Sequence, residues 1–213
     1  MAERTTQLRI LPLTPALWPA FEDLLGNQGP CSRCWCMYWR IGPGYRRQAP
    51  QTNQSTFHAI VSKGPPPGLI ALLGSQAVGW CQLTPRDGLP WIDRVGKLKR
   101  VDDVPVWSIS CFYIRKGHRK RGVSARLIDA AVRLARDAGA RALEAYPLDA
   151  KLTGSTSFTR YSSTFHSAGF QIVARPLAAQ HAPGKQPACL KEVYATIAVR
   201  LRTFSPRSGS PSN

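Results

Sequence analysis

Polar and apolar positions alternate in Gln7-Leu8-Arg9-Ile10-Leu11, which predicts a short strand. Thr14-Pro15 then offers a cap followed by a proline in the first turn of a helix. Leu17, Trp18, Phe21, Leu24 and Leu25 recur at helical spacing until Gly26. A second short helix is predicted from Ser55 to Ser62, stopped by Gly64 and three prolines. The apolar runs 68–73 and 77–83, joined by Gly74-Ser75-Gln76, read as a β-hairpin. Residues 85–105 are charged and aperiodic and predict a loop. Val106 to Ile114 is rich in β-branched and aromatic residues, as in a strand.

The strongest helical pattern runs from Ser124 to Ala138. Leu127, Ile128, Ala131, Leu134 and Ala135 fall on one face, Arg126, Asp129, Arg133 and Arg136 on the other, and Gly139 is the stop. A strand over 141–146 ends at Pro147, a helix over 161–167 ends at Gly169, and 170–174 and 193–201 read as two closing strands. The order predicts an α/β domain with about four helices on one mixed sheet of about seven strands.

The length of 213 residues fits one domain, expected over 5–202, with a Ser/Pro-rich tail at 203–213. No apolar run approaches the ~20 residues of a membrane-spanning helix. Met1-Ala2-Glu3-Arg4 lacks a secretory pattern, so a cytoplasmic location without membrane attachment is expected. Six cysteines in that setting read as thiols rather than disulfides. Cys31-x-x-Cys34-x-Cys36 has half of a zinc pattern, but no second pair follows, and no metal is expected. The formal charge of +17 attracts anions: nucleic acid, an anionic membrane surface or a polyanionic cofactor.

One stretch narrows that choice. Ile109 to Ile114 leads into Arg115-Lys-Gly-His-Arg119-Lys-Arg-Gly122-Val-Ser124 and then a helix. A basic, glycine-containing turn at a helix N-terminus gathers free backbone N–H groups, the helix dipole and cationic side chains around one anion. Gly122 lets the backbone approach a phosphate, and Ser124 is small enough not to block it. The turn is neither a P-loop nor a Rossmann fingerprint, because it has no Gly-Lys-Ser/Thr ending and lacks that fingerprint's glycine spacing.

Arg119-Lys-Arg-Gly122-Val-Ser124 resembles the R/Q-x-x-G-x-G/A motif of the GNAT acyltransferases, with Ser124 in place of the usual Gly or Ala. Phe165-His-Ser-Ala-Gly169-Phe170 resembles that family's second motif, with Phe165 where many members carry a catalytic Tyr. The resemblance implies a GNAT-like fold with splayed central strands and acetyl-CoA as acyl donor. It implies cofactor contacts from Phe112, Tyr113, Ile114, Arg119, Lys120, Arg121, Gly122, Val123, Ser124 and Phe165. It also implies an acceptor amine that attacks the thioester directly, without a covalent enzyme intermediate.

With Phe165 lacking a hydroxyl, the acid for the leaving thiolate is expected from Tyr161, one helical turn earlier, with Tyr146 as alternative. Glu144 is the leading candidate base, ahead of Asp149, Asp102 and Asp103. Cys111 reads as a buried thiol rather than a nucleophile. Trp35, Tyr38, Trp39 and Trp80 are candidates for lining the acceptor pocket, with core packing expected for at least two. Asp87, Asp93, Asp102 and Asp103 offer an acidic patch for a cationic acceptor. The expected partner is a small-molecule amine, with an aminoglycoside-type acceptor as alternative. A nucleic acid is not expected, a homodimer is left open, and the competing classes are a basic nucleic-acid-binding protein and a CoA sensor.

Overall fold

The computed structural model describes residues 7–26, 32–147, 164–174 and 198–201. Seven strands form one sheet: β1 (Leu8–Pro12), β2 (Gly68–Leu73), β3 (Gln76–Pro85), β4 (Val106–Ile114), β5 (Ala142–Ala145), β6 (Gln171–Ala174) and β7 (Ala198–Leu201). Their spatial order is β1-β2-β3-β4-β5-β7-β6, and among the described residues only the β4–β5 pair is parallel. A parallel neighbour needs a crossover, and the amphipathic helix α5 (Val123–Asp137) supplies it. The expected mixed, mostly antiparallel sheet is what forms.

Among the described residues the helices are α1 (Trp18–Leu25), α2 (Tyr38–Ile41), α3 (Pro50–Lys63), α4 (Trp91–Arg94) and α5, and residues 164–167 are also helical. That is two more than expected, because α2 and α4 are single turns, too short to leave a period in the sequence. The second expected helix starts earlier, at Pro50. Its first turns, Gln51 to Gln54, carry no apolar stripe. Asn53 there is nevertheless buried, donating from Nδ2 to the carbonyls of Arg33 (2.7 Å) and Tyr45 (2.8 Å).

One face of the sheet packs Val78, Cys81, Leu83, Ile109 and Ile114 against Leu127, Ile128, Ala131 and Ala135 of α5. The opposite face packs Ile70, Leu72 and Trp80 beneath Phe21, Leu25, Trp35 and Phe57. Trp80 is fully buried, 4.7 Å from the Phe21 ring centre, and its Nε1 donates to Cys36 Sγ at 3.1 Å. The Tyr38 N–H donates to Cys34 Sγ at 3.3 Å. The Cys34-Trp35-Cys36 segment is therefore a packed turn, with Trp35 and Cys36 both at positive φ. Cys31 and Cys189 lie outside the described residues. Among those described, no cysteine forms a disulfide and no cluster of three potential metal ligands exists.

Residues 85–105 hold more structure than a loop. Leu89, Ile92 and Leu98 are buried together in a small third core, hidden in the sequence by the charges around them. None of the described helices is long and apolar enough to cross a membrane.

Candidate active site

β4 and β5 start side by side and then part. Their register runs from Val106↔Ala142 to Ile109↔Ala145, whereas β4 continues five residues further, to Ile114. On its other side β4 stays paired to β3 as far as Ile114↔Gly79. Beyond Ile109↔Ala145 no further β4–β5 pair forms among the described residues, and the Ser110 and Ile114 carbonyls accept from side chains instead, Trp39 Nε1 and Arg119 Nε. A bulge at Ser110 separates the pairs Leu83↔Ile109 and Gln82↔Cys111. Phe112 and Ile114 turn toward the α5 face, Cys111 and Tyr113 toward the other.

The basic turn follows where β4 ends. The Arg115 N–H donates to the Val78 carbonyl, its Nε to the Ala77 carbonyl, and its Nη2 to Asp23 Oδ2 at 2.5 Å. Arg119 folds its Nε back onto the Ile114 carbonyl at 3.2 Å. Lys116, Lys120 and Arg121 stay exposed, without an acidic partner among the described residues. Gly122 caps α5 at φ +77°, a conformation that disfavours any side chain, and no side chain caps the helix. Carbons built at the Cβ positions of Gly117 and Gly122 would meet no atom within 4 Å. The first-turn amides of α5 therefore face open space flanked by cationic side chains, an arrangement that suits a pyrophosphate. Val123 is buried and Ser124 half-buried in the first turn of α5.

Tyr146 and Glu144 lie at the parting of the strands. Glu144 is 2% exposed. Its Oε2 accepts from Arg86 Nη1 (2.7 Å) and from the Tyr146 hydroxyl (3.2 Å), and its Oε1 accepts from Arg200 Nε (3.0 Å) and Nη2 (2.5 Å). The Tyr146 hydroxyl also accepts from Arg86 Nη1 at 3.1 Å and lies 3.0 Å from Ser108 Oγ. Burial first, and then the Glu144 charge, push the phenol well above its ordinary range, so it stays protonated. Arg86, 3% exposed, holds Asp93 as well and donates from Nη2 to the Leu98 carbonyl. This ties residues 86–98 to the sheet.

The acidic patch is largely neutralised from within. Arg100 pairs with Asp87 and Asp93, Arg86 with Asp93 and Glu144, and Arg200 with Asp102 and Glu144. Burial alone would raise Asp93, but hydrogen bonds and charge from Arg86 and Arg100 outweigh it and hold this carboxyl below the usual range. The hydrogen bond from Arg200 does the same for Asp102.

Of the aromatic candidates, Trp35 and Trp80 are core, while Tyr38 and Trp39 are half-buried. Trp39 donates from Nε1 to the Ser110 carbonyl at 2.7 Å, and its ring lies 6.3 Å from that of Tyr146. It covers the bulge. Phe165 is buried and packs edge-on against Phe170 at 5.1 Å, in the core on the α5 side. Tyr161 and Asp149 lie outside the described residues. Arg86, Arg200, Ser108 and Ser110 are not legible as site residues, since they come from three segments far apart in sequence and none belongs to a motif.

A family model described as "Acetyltransferase (GNAT) family" matches residues 32–159, more than half of the chain. No curated protein matches the chain. Among solved structures, a polyamine N-acetyltransferase from Drosophila melanogaster that forms N-acetylagmatine is similar over 91% of this chain and 97% of its own, at TM-score 0.54 and 12% identity. An apo agmatine N-acetyltransferase variant matches 92% of this chain and 99% of its own, at TM-score 0.58 and 11% identity. A PaiA N-acetyltransferase from Thermoplasma acidophilum in complex with coenzyme A matches 92% and 99%, at TM-score 0.50 and 11% identity.

Proposed function

The chain belongs to the acetyltransferase (GNAT) family, and on that premise we propose that it carries an acetyl group from acetyl-CoA to a primary amine of a small molecule. The observation that carries the reading is the parting of β4 from β5 next to the uncapped, glycine-lined N-terminus of α5. A long ligand with an amide-bearing arm and a pyrophosphate fits both features at once. The backbone of Phe112 and Ile114 would hold the arm, and the amides from Arg119 through Ser124 the pyrophosphate, with Lys116, Lys120 and Arg121 adding charge. Acetyl-CoA, when bound, supplies the activated acetyl group.

The chain's own groups then position and discharge. The amine attacks the thioester carbon directly and passes its proton to water. A group held rigidly in place before reaction contributes more than one that must reorganise. Glu144, with both oxygens accepting guanidinium donors, holds Tyr146 and Arg86 in place. We assign protonation of the departing thiolate to Tyr161, with the protonated Tyr146 hydroxyl as the alternative. Structural likeness to polyamine and agmatine N-acetyltransferases supports a small amine as acceptor.

The test is thiol release from acetyl-CoA in the presence of a panel of amines, with mass spectrometry of the products. Acetylation of at least one amine nitrogen is expected. Binding of acetyl-CoA with no release on any amine would instead make the chain a CoA sensor, and salt-sensitive binding to nucleic acid without acetyl-CoA binding would make it a nucleic-acid-binding protein.

A further inference from the structure

On the face of the sheet beneath α2, polar atoms lack the partners that burial demands. Gln82 is fully buried, and neither its Oε1 nor its Nε2 has a hydrogen-bond partner. Ser110 Oγ and Arg40 Nε are buried and unpartnered as well. Leaving such an atom unmet forfeits its hydration with nothing in return. Four of them in one place mark a spot that the working protein satisfies with something else.

They do share one place. Gln82 sits on β3 between Trp80 and Thr84 and opposite Cys111, next to the bulge that Ser110 creates. Trp39 of α2 covers that bulge through its bond to the Ser110 carbonyl. Arg40, the next residue of α2, donates from Nη1 to the Gly88 carbonyl at 3.0 Å. A carbon built at the Cβ position of Gly88 would lie 2.9 Å from Thr84 Cγ2 and 3.8 Å from Arg40 Nη1. The Arg40 guanidinium also stands 6.0 Å from the Phe57 ring centre, itself 6.2 Å from that of Trp80. Arg40 thus overhangs the strand that carries Gln82.

Charge then selects the occupant. No carboxylate among the described residues pairs with Arg40. Burial pushes its guanidinium down, and the charge interaction that opposes this comes from the Cys36 thiol. Asp87, Asp93, Asp102 and Glu144 are taken by Arg86, Arg100 and Arg200. The wall therefore offers an unmatched cation, a neutral amide and a hydroxyl. A second cation would meet repulsion there, whereas a carboxylate would find charge-assisted donors.

We propose that Arg40, Gln82 and Ser110 form a carboxylate-reading subsite, so that the acceptor is an amine that also bears a carboxylate, of the amino-acid type. The proposal rests on the acetyltransferase reading. Arg40 and the Gln82 amide N–H donate to the carboxylate oxygens, and the Ser110 hydroxyl donates or accepts beside them.

Matched acceptors test it: L-arginine against agmatine, and γ-aminobutyrate against putrescine, each assayed by thiol release from acetyl-CoA. The carboxylate member of each pair is expected to have the higher kcat/KM, by at least about tenfold. Arg40→Gln should bring the ratio near one by raising KM for the carboxylate members alone. Gln82→Glu should do the same by placing a carboxylate under Arg40, with the melting temperature kept or raised. A preference for agmatine and putrescine, or a carboxylate preference that survives both substitutions, overturns the subsite. So does acetyl-CoA binding with no turnover of either carboxylate acceptor. If acetyl-CoA itself fails to bind, the acetyltransferase reading is what fails. Calorimetry of L-arginine and agmatine on the free protein then still decides the subsite, tighter L-arginine supporting it and equal or weaker L-arginine overturning it.

Discussion

The turn from Arg115 to Ser124 and the wall formed by Arg86, Glu144 and Tyr146 flank the same parting of β4 and β5, yet they are built differently. The turn works through backbone: a left-handed glycine, an uncapped helix and empty space where a Cβ would stand. The wall works through side chains drawn from β4, β5, β7 and the residues just after β3 and β5, locked by ion pairs. A backbone site tolerates changes in its side chains but not at its glycine. A side-chain site tolerates almost nothing among its buried members, because each is the partner of another.

The sharpest way to break that contrast is Glu144→Ala. It strands the Arg86 guanidinium without one of its buried partners, and loss of one member of such a pair is expected to destabilise the fold by about 3–5 kcal/mol in denaturant unfolding. A loss under about 1 kcal/mol would mean that the wall is not held together by these pairs.

Next in size is Tyr161→Phe. Turnover should fall at least about tenfold with little change in acetyl-CoA binding, the signature of a group acting in the transition state. Near-unchanged turnover passes the role to Tyr146, where Tyr146→Phe should then produce the loss.

Stability against pH sharpens the contrast further. Asp93 and Asp102 are held low, so their contribution is present above the ordinary carboxylate range and is lost as pH falls below about 4 through their depressed values. Tyr146 is held high, so its contribution is present below the ordinary phenol range and is lost as pH rises above about 10. Melting temperatures across pH 2–6 should fall less steeply toward acid in an Asp93→Asn variant than in the parent, the remainder coming from Asp102. The smallest expected effect belongs to the turn: Lys120→Ala and Arg121→Ala should each change stability by no more than about 0.5 kcal/mol, since both are exposed.

The same difference explains what the sequence could tell. The turn is contiguous, so strand, basic glycine loop and amphipathic helix were readable in order from Val106 to Asp137. The hairpin of β2 and β3 was readable for the same reason, two apolar runs about a glycine turn. Single-turn α2 and α4 were not, because a helix of barely one period leaves no repeat to read. The wall was not, because Arg86 sits in a segment whose charges conceal the Leu89, Ile92 and Leu98 core. Glu144 could be named from its strand, but not its two guanidinium partners, which lie 58 and 56 residues away. Gln82 reads as an ordinary strand residue until burial shows it unpartnered.

The most direct test of the whole account is calorimetric titration of acetyl-CoA into the parent protein, Gly122→Ala and Gly122→Glu. The account expects binding to the parent, weaker binding to the alanine variant through strain at φ +77°, and none to the glutamate variant, which adds bulk and negative charge where the pyrophosphate sits. With all three folded by circular dichroism, equal affinity of Gly122→Glu and the parent would put the donor elsewhere and contradict the assignment of the turn.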